Sequence, residues 1–277
     1  MRESCFGAVQ GRLVQSPPGE LQWFPQQDWE SEFYIASSIG IDYIELLAET
    51  DHNPNNPIWS GDGVDRLLEL CDRTGLISRA LCNNYIIKNS IIENKDTIYQ
   101  NKNLINTCNK LGIRKFILPL FGKSEVIFPN SMKYIDGFRR IIDHAQECGI
   151  DVCLESNRPV AELIELLEVL DRTGVKLVFD TGNRIVFGYD HYKDIKALGD
   201  LIAHVHIKDK NEANANVFLG SGSVNFAAVF NALAEIDYAG SYTFETLRGN
   251  DPIRTMKHNI AFTSFFLAEG KSYIKSP

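Results

Sequence analysis

The chain has no CxxC pair, no GxGxxG, no long apolar run and little spare positive charge, and each gap removes a class of protein. Its six cysteines (Cys5, Cys71, Cys82, Cys108, Cys148 and Cys153) are scattered through largely apolar segments. That excludes a disulfide frame or zinc knot and fits small buried hydrophobes in a reducing compartment. No stretch approaches the roughly 18 apolar residues of a membrane span, and the opening MRESCFGAVQ has no apolar leader core. A cytoplasmic protein with no membrane partner is expected. Lys and Arg number 28 against 36 Asp and Glu, for a net charge of −8. Such a chain is a poor match to a phosphate backbone, so a nucleic-acid partner is not expected. After the first apolar run, GAVQGRL lacks the glycine spacing of a dinucleotide-binding open sheet.

What is present is alternation. Strand-like runs at Cys5–Val9, Tyr43–Leu47, Ile77–Cys82, Lys115–Pro119, Asp151–Glu155, Lys176–Asp180, Ile202–Ile207 and Ser241–Glu245 are separated by helical patterns. YIDGFRRIIDHAQECG and VAELIELLEVLDRTG place apolar residues at spacings of three and four, as a one-sided helix requires. Gly40, Gly75, Gly112, Gly149 and Gly174 stand where left-handed helix caps belong. Repeated β-then-α units predict right-handed crossovers and a parallel sheet. With 277 residues and no linker-like segment, the expected fold is α/β: a (β/α)8 TIM barrel forming a single domain over residues 1–277.

In such a barrel, chemistry sits where strands end. Four successive strand candidates end in DVCLESN, LVFDTGN, HVHIKDK and YTFETLR, which supply Glu155, Asp180, His206 and Glu245. Each pair is about one βα unit apart. Taken singly, the glutamates read as solvated loop residues, Asp180 as an Asx turn and His206 as a packed histidine. One metal site accounts for all four together. Three carboxylates and an imidazole suit Mn2+, Mg2+ or Co2+, with Zn2+ also acceptable.

These strand ends, the Gly-Arg-Leu after the first strand, and the segments DTGN, HVHIKD and FLGSGSVNF resemble the xylose isomerase-like superfamily of sugar and sugar-phosphate isomerases and epimerases. The group that includes ketose 3-epimerases, pentulose-phosphate 3-epimerases and hydroxypyruvate isomerases is the most similar. The resemblance covers nearly the whole chain and implies metal ligands at Glu155, Asp180, His206 and Glu245. It also implies that Glu155 and Glu245 are the acid/base pair. The superfamily's sugar dehydratases keep a lyase as the alternative. Its abasic-site endonuclease carries a histidine three residues after the strand-six aspartate, where this chain has Asn183, and only six histidines exist here. Free-ketose epimerases have histidine there too, and Gly-Glu after the metal histidine. Asn183 and Lys208-Asp209 therefore lean toward the sugar-phosphate branch.

The implied activity is isomerisation or 3-epimerisation of a small sugar or sugar phosphate. A divalent ion would stabilise the enediolate formed beside the carbonyl, and the two glutamates would move the proton. Whether the outcome is epimer or isomer stays open. Candidate substrate contacts are Glu45, which could instead form a barrel-mouth salt bridge, with Arg158, Asn183, Lys208 and Arg248. Gln10, Arg12, Trp23, Phe24, Trp59 and Tyr85 belong to the same end, and Gly220 and Gly222 could offer N–H groups to an anion. Side chains alternate along IAHVHIKDK, so His204, His206 and Lys208 share one face. His204 reads as a supporting histidine beneath His206, and Asp209 as a group orienting Lys208. The apolar C-terminal AFTSFFLAEG either closes the barrel or meets a partner, including a second copy of the chain.

Overall fold

The structure, a computed structural model, describes residues 4–91, 95–127, 132–171 and 173–273. Eight parallel strands close into a barrel: β1 (Cys5–Val9), β2 (Tyr43–Ala48), β3 (Ala80–Asn83), β4 (Lys115–Pro119), β5 (Asp151–Glu155), β6 (Val175–Asp180), β7 (Ile202–Ile207) and β8 (Ser241–Phe244). Each pairs with its chain neighbour, and β1 closes the ring by pairing Gly7 with Tyr43 of β2 and Phe6 with Tyr242 of β8. The principal helices between and after them are α1 (Trp29–Ile39), α2 (Gly61–Thr74), α3 (Lys95–Leu111), α4 (Met132–Glu147), α5 (Val160–Leu170), α6 (His191–Leu198), α7 (Phe226–Glu235) and α8 (Pro252–Tyr273).

The period-two pattern of the strands separates two cores. Outward residues such as Phe116, Leu118, Val152, Leu154, Val205 and Ile207 join the helices in one large apolar layer. Each such fully buried side chain contributes about 1.5–3 kcal/mol. A smaller inner cluster of Tyr43, Leu47, Ala80, Cys82, Ile117, Cys153 and Val178 fills the barrel. Gly7 makes that filling possible, because a Cβ there would lie 2.2 Å from the Tyr43 ring. The Tyr43 hydroxyl then reaches Thr243 Oγ1 across the barrel at 2.6 Å.

Local signals explain most element ends. Ser60 caps α2 by accepting from the Gly63 N–H at 3.1 Å, and Gly75 ends that helix at φ 71°. Two expectations are corrected. β3 begins at Ala80 rather than Ile77, whose side chain is 45 % exposed at the barrel's lower rim. α5 is closed by Asp171 at φ 50°, not by Gly174; residue 172 lies outside the described residues. In α8, Phe262 and Phe266 pack against Phe226 of α7, while Phe265 is 60 % exposed. Among the described residues no helix is long and apolar enough to cross a membrane.

Candidate active site

Parallel pairing in register brings the strand ends to one mouth. Asp180 pairs with His206, which brings the ends of β6 and β7 to one height, and Glu245 follows directly after β8 with its N–H on the Ile207 carbonyl. His206 Nδ1 lies 3.7 Å from Glu155 Oε2, 3.9 Å from Asp180 Oδ2 and 3.4 Å from Glu245 Oε2. One donor atom from each of the four residues fits within 4.8 Å of the others, and all four residues are buried. His206 Nδ1, Asp180 Oδ2 and Glu245 Oε2 have no well-aligned hydrogen-bond partner among the described residues. Buried polar atoms are normally satisfied. Three lone-pair donors facing one point, the two oxygens in ionic contact with the Lys208 ammonium, fit a divalent cation with mixed oxygen and nitrogen ligands.

The imidazole is held from below. His206 Nε2 donates to Glu45 Oε1 at 3.0 Å, which leaves Nδ1 as the nitrogen turned to the carboxylates. His204 Nε2 meets Glu45 Oε2 at 2.7 Å, and His204 Nδ1 meets Ser241 Oγ at 3.0 Å. Glu45 is fully buried. Burial alone would raise its carboxyl, but the neighbouring His206 and His204 rings outweigh this and hold it at about 2. A ligand histidine anchored through its other nitrogen is the arrangement that fixes both tautomer and ring angle.

Each glutamate also has a supported second oxygen. Asn183 Nδ2 donates to Glu155 Oε1 at 3.1 Å, and Gln22 Nε2 donates to Glu245 Oε1. Asp180 divides its oxygens: Oδ1 accepts from the Asn183 N–H at 2.6 Å, capping a short helix over Thr181–Ile185, and Oδ2 faces the cluster. The Asx-turn and ligand readings of Asp180 are thus compatible. Lys208 Nζ stands 2.9 Å from Asp180 Oδ2 and 2.8 Å from Glu245 Oε2.

The charges divide unequally. Burial raises Glu155, helped by the charges of Glu245 and Asp180 against the opposing pull of His206, to about 8. Burial would also raise Glu245, but Lys208, His206 and Arg12 outweigh it and keep that carboxyl well below its ordinary range. His206 is raised well above an ordinary histidine: burial opposes this, and Glu45, Glu245 and Glu155 outweigh it.

Other expected contacts are placed differently. Glu45 forms the floor of the pocket under His206 rather than reaching up to a hydroxyl. Arg158 pairs with Glu162 at 2.7 Å. Arg248 donates to the carbonyls of Gly11, Glu20 and Leu21, tying down the loop after β1. Asp209 does not orient Lys208; its carboxylate takes the N–H groups of Gly220, Gly222 and Val224 at 3.0, 2.8 and 3.2 Å. The anion for that GxG is therefore supplied by the chain itself. Gln10 accepts from the Leu47 N–H, and Arg12 lies buried 3.8 Å from Glu245. Trp59 lies tilted against His52 and edge-on to Tyr85, Phe24 is buried, and Trp23 does not line the pocket.

The pocket itself is a cavity of about 180 Å³. One side is made by Glu45, Glu155, Asn183, His206 and Glu245, the rest by Val9, Gln22, Cys82, Asn84, Ile87, Pro119 and Phe121. Sequence reasoning missed Gln22, which sits in a loop with no distinguishing motif, and Phe121, two residues beyond the end of β4. It also missed Glu32, whose buried carboxylate receives the Gly11 and Leu13 N–H groups at 2.8 and 2.9 Å. A glutamate on the inner side of an amphipathic helix was the available signal for Glu32.

Fold and site together define a (β/α)8 barrel with an acidic, histidine-anchored cluster at the mouth where its strands end. The chain belongs to the xylose isomerase-like TIM barrel family, whose model matches residues 33–265. It is similar to an L-ribulose 3-epimerase from Methylomonas sp., with 30 % identity over 125 residues covering 42 % of each chain. An inosose dehydratase from Geobacillus thermodenitrificans is 30 % identical over 151 residues, covering 46 % of this chain and 51 % of that one. An Escherichia coli L-ribulose-5-phosphate 3-epimerase is 22 % identical over 234 residues, covering 78 % and 81 %. The first two matches thus span about half or less of those relatives' length. Among solved structures, an L-ribulose 3-epimerase superposes with a TM-score of 0.79 at 20 % identity, covering 99 % of this chain and 97 % of the other. The D-psicose 3-epimerase of Clostridium cellulolyticum H10 gives 0.75 at 16 %, covering 95 % and 99 %.

Proposed function

We propose that the chain is a divalent-metal-dependent epimerase or isomerase that moves a proton beside the carbonyl of a small, unphosphorylated ketose. The observation that carries this is the paired dressing of Glu155 and Glu245. Each turns one oxygen to the His206 cluster, and each has the other held by an amide, Asn183 or Gln22. Glu155, Asp180, His206 and Glu245 would hold the ion, with Mn2+, Mg2+ or Co2+ preferred over Zn2+. A bound ion supplies Lewis-acid stabilisation of the negative charge that develops on the substrate oxygens.

The chain's own groups do the rest. One glutamate removes the carbon-bound proton and the other returns one, each contributing about 10²–10⁴-fold. Asn183 and Gln22 fix the carboxylates so that neither turns away. Glu45 keeps His206 aimed, and the apolar wall of Val9, Cys82, Ile87 and Phe121 excludes water from the reacting carbon. The unphosphorylated substrate reverses the earlier lean toward sugar phosphates. Phosphate recognition relies on free cations or N–H groups. Here Arg158 and Arg248 are engaged by protein groups, as are the Gly220 and Gly222 amides. The unpaired cysteines are compatible with a cytoplasmic setting.

Incubation of the Mn2+-loaded protein with paired free and phosphorylated ketoses tests this reading. An epimer or aldose from a free ketose is expected, with little turnover of its phosphate. A product lighter by one water would favour the second reading, a sugar or cyclitol dehydratase. The similarity to inosose dehydratases keeps that reading in view. Turnover across the panel that is unchanged by Glu155→Gln would overturn both.

A further inference from the structure

Lys208 takes two of the oxygens that the cluster offers to a cation. Its Nζ contacts Asp180 Oδ2 and Glu245 Oε2, the same atoms that lie 3.9 and 3.4 Å from His206 Nδ1. The lysine is only 4 % exposed, so these contacts are shielded from water. We propose that Lys208 is a tethered cation that holds Asp180 and Glu245 in place and yields both oxygens when a divalent ion enters. This inference rests on the metal-site reading above.

The surroundings fix the lysine's base and leave its tip movable. Thr181 Oγ1 accepts the Lys208 N–H at 2.9 Å and donates to the Lys208 carbonyl at 2.6 Å. The aliphatic stem passes over Gly182, where a Cβ would meet Lys208 Cγ at 2.8 Å and its Cβ and Cδ at 3.1 Å. A side chain at 182 would displace the stem, so glycine there is what lets the ammonium reach the carboxylates. The next acceptor is already in contact: Asn183 Oδ1 lies 3.3 Å from Nζ. Asn183 lines the pocket, so an ammonium released from the carboxylates pivots toward the substrate side. A carboxylate oxygen has lone pairs enough for two partners, but an ammonium and a divalent ion crowded onto the same two oxygens repel strongly at this range. Ion entry and release of Lys208 are therefore one event. The lysine keeps the Asp180 and Glu245 carboxylates from repelling one another until the ion arrives, and it then becomes a donor for a substrate oxygen.

Calorimetric titration of the full chain with Mn2+, with Lys208→Met beside the wild type, reads the exchange. Loss of the internal competitor should tighten Mn2+ binding by about tenfold or more, and the metal-free variant should melt below the metal-free wild type. Unchanged or weaker binding in the variant overturns the proposal. A second measurement separates release of the ammonium from mere loss of charge and needs no variant. Acetylation of the wild type, mapped by peptide mass spectrometry, should leave Lys208 unmodified with chelator present and modify it once Mn2+ is bound. Equal modification in both conditions overturns the proposal. A wild type that binds no Mn2+ at all contradicts the metal-site reading itself, so the two failures are distinguishable.

Discussion

Replacing Glu45 with alanine removes the acceptor shared by two buried imidazoles. His206 Nε2 at 3.0 Å and His204 Nε2 at 2.7 Å both lose their carboxylate oxygen, and Thr243 Oγ1 at 3.2 Å loses a third contact. All of these residues are buried, so water does not readily replace the lost acceptor. Breaking a buried charge pair from one side costs about 3–5 kcal/mol. For a chain of this size that lowers the melting temperature by roughly 10 °C. The second consequence falls on the metal. Without the Glu45 anchor the His206 ring can turn and protonate on either nitrogen, and loss of such a supporting carboxylate weakens metal binding about 10–100-fold. Glu45→Gln keeps one oxygen and therefore one anchored ring, so its loss should be smaller than that of alanine. Differential scanning calorimetry and Mn2+ titration on both variants give the two numbers. If alanine leaves Mn2+ affinity within a factor of two of wild type, Glu45 is not the support for His206 and the reasoning fails.

Metal binding should strengthen as pH rises. Glu155, pushed up to about 8, and His206, also raised, hold protons that an ion must displace; buffers of different ionisation enthalpy should report proton release near neutral pH, and no release would contradict this. In the metal-free protein the raised His206 stabilises the fold fully below its unfolded value, and that contribution is lost as pH climbs through its folded value. Gly7→Ala drives a Cβ into the Tyr43 ring; overpacking of this kind costs about 1–3 kcal/mol, which denaturant unfolding would detect. Asp209→Ala strips the acceptor from three loop N–H groups and should raise amide exchange over residues 220–224. Protection as in wild type would mean that loop is held by other contacts.

Much of this molecule could be read from local pattern. The β-then-α alternation gave the barrel, and the residue at the end of each late strand gave the cluster, because a parallel barrel converts strand register into proximity. Ile77 misled because an apolar β-branched residue beside a strand looks like its start, yet it lies at the rim before β3, its N–H on the Asp42 carbonyl. Asp171 took the left-handed cap one would assign to glycine, as aspartate tolerates that conformation. The harder part was pairing across the barrel. Glu45 meets His204 and His206 from 159 and 161 residues away, and nothing along the chain distinguishes that contact from a hydroxyl-binding glutamate. Arg248 looked free for the same reason: its partners, three loop carbonyls more than 200 residues away, become visible only once the loops are folded, whereas the partner of Arg158, Glu162, stands only four residues on.

The two-glutamate account is tested most directly by solvent deuterium exchange with each epimer of a turned-over ketose, using Mn2+-loaded wild type, Glu155→Gln and Glu245→Gln with metal content measured alongside. The account predicts that wild type places deuterium at the carbon beside the carbonyl of both epimers, while each variant loses exchange with one epimer and retains it with the other. Exchange of both epimers surviving in both variants, at wild-type rate, would contradict it.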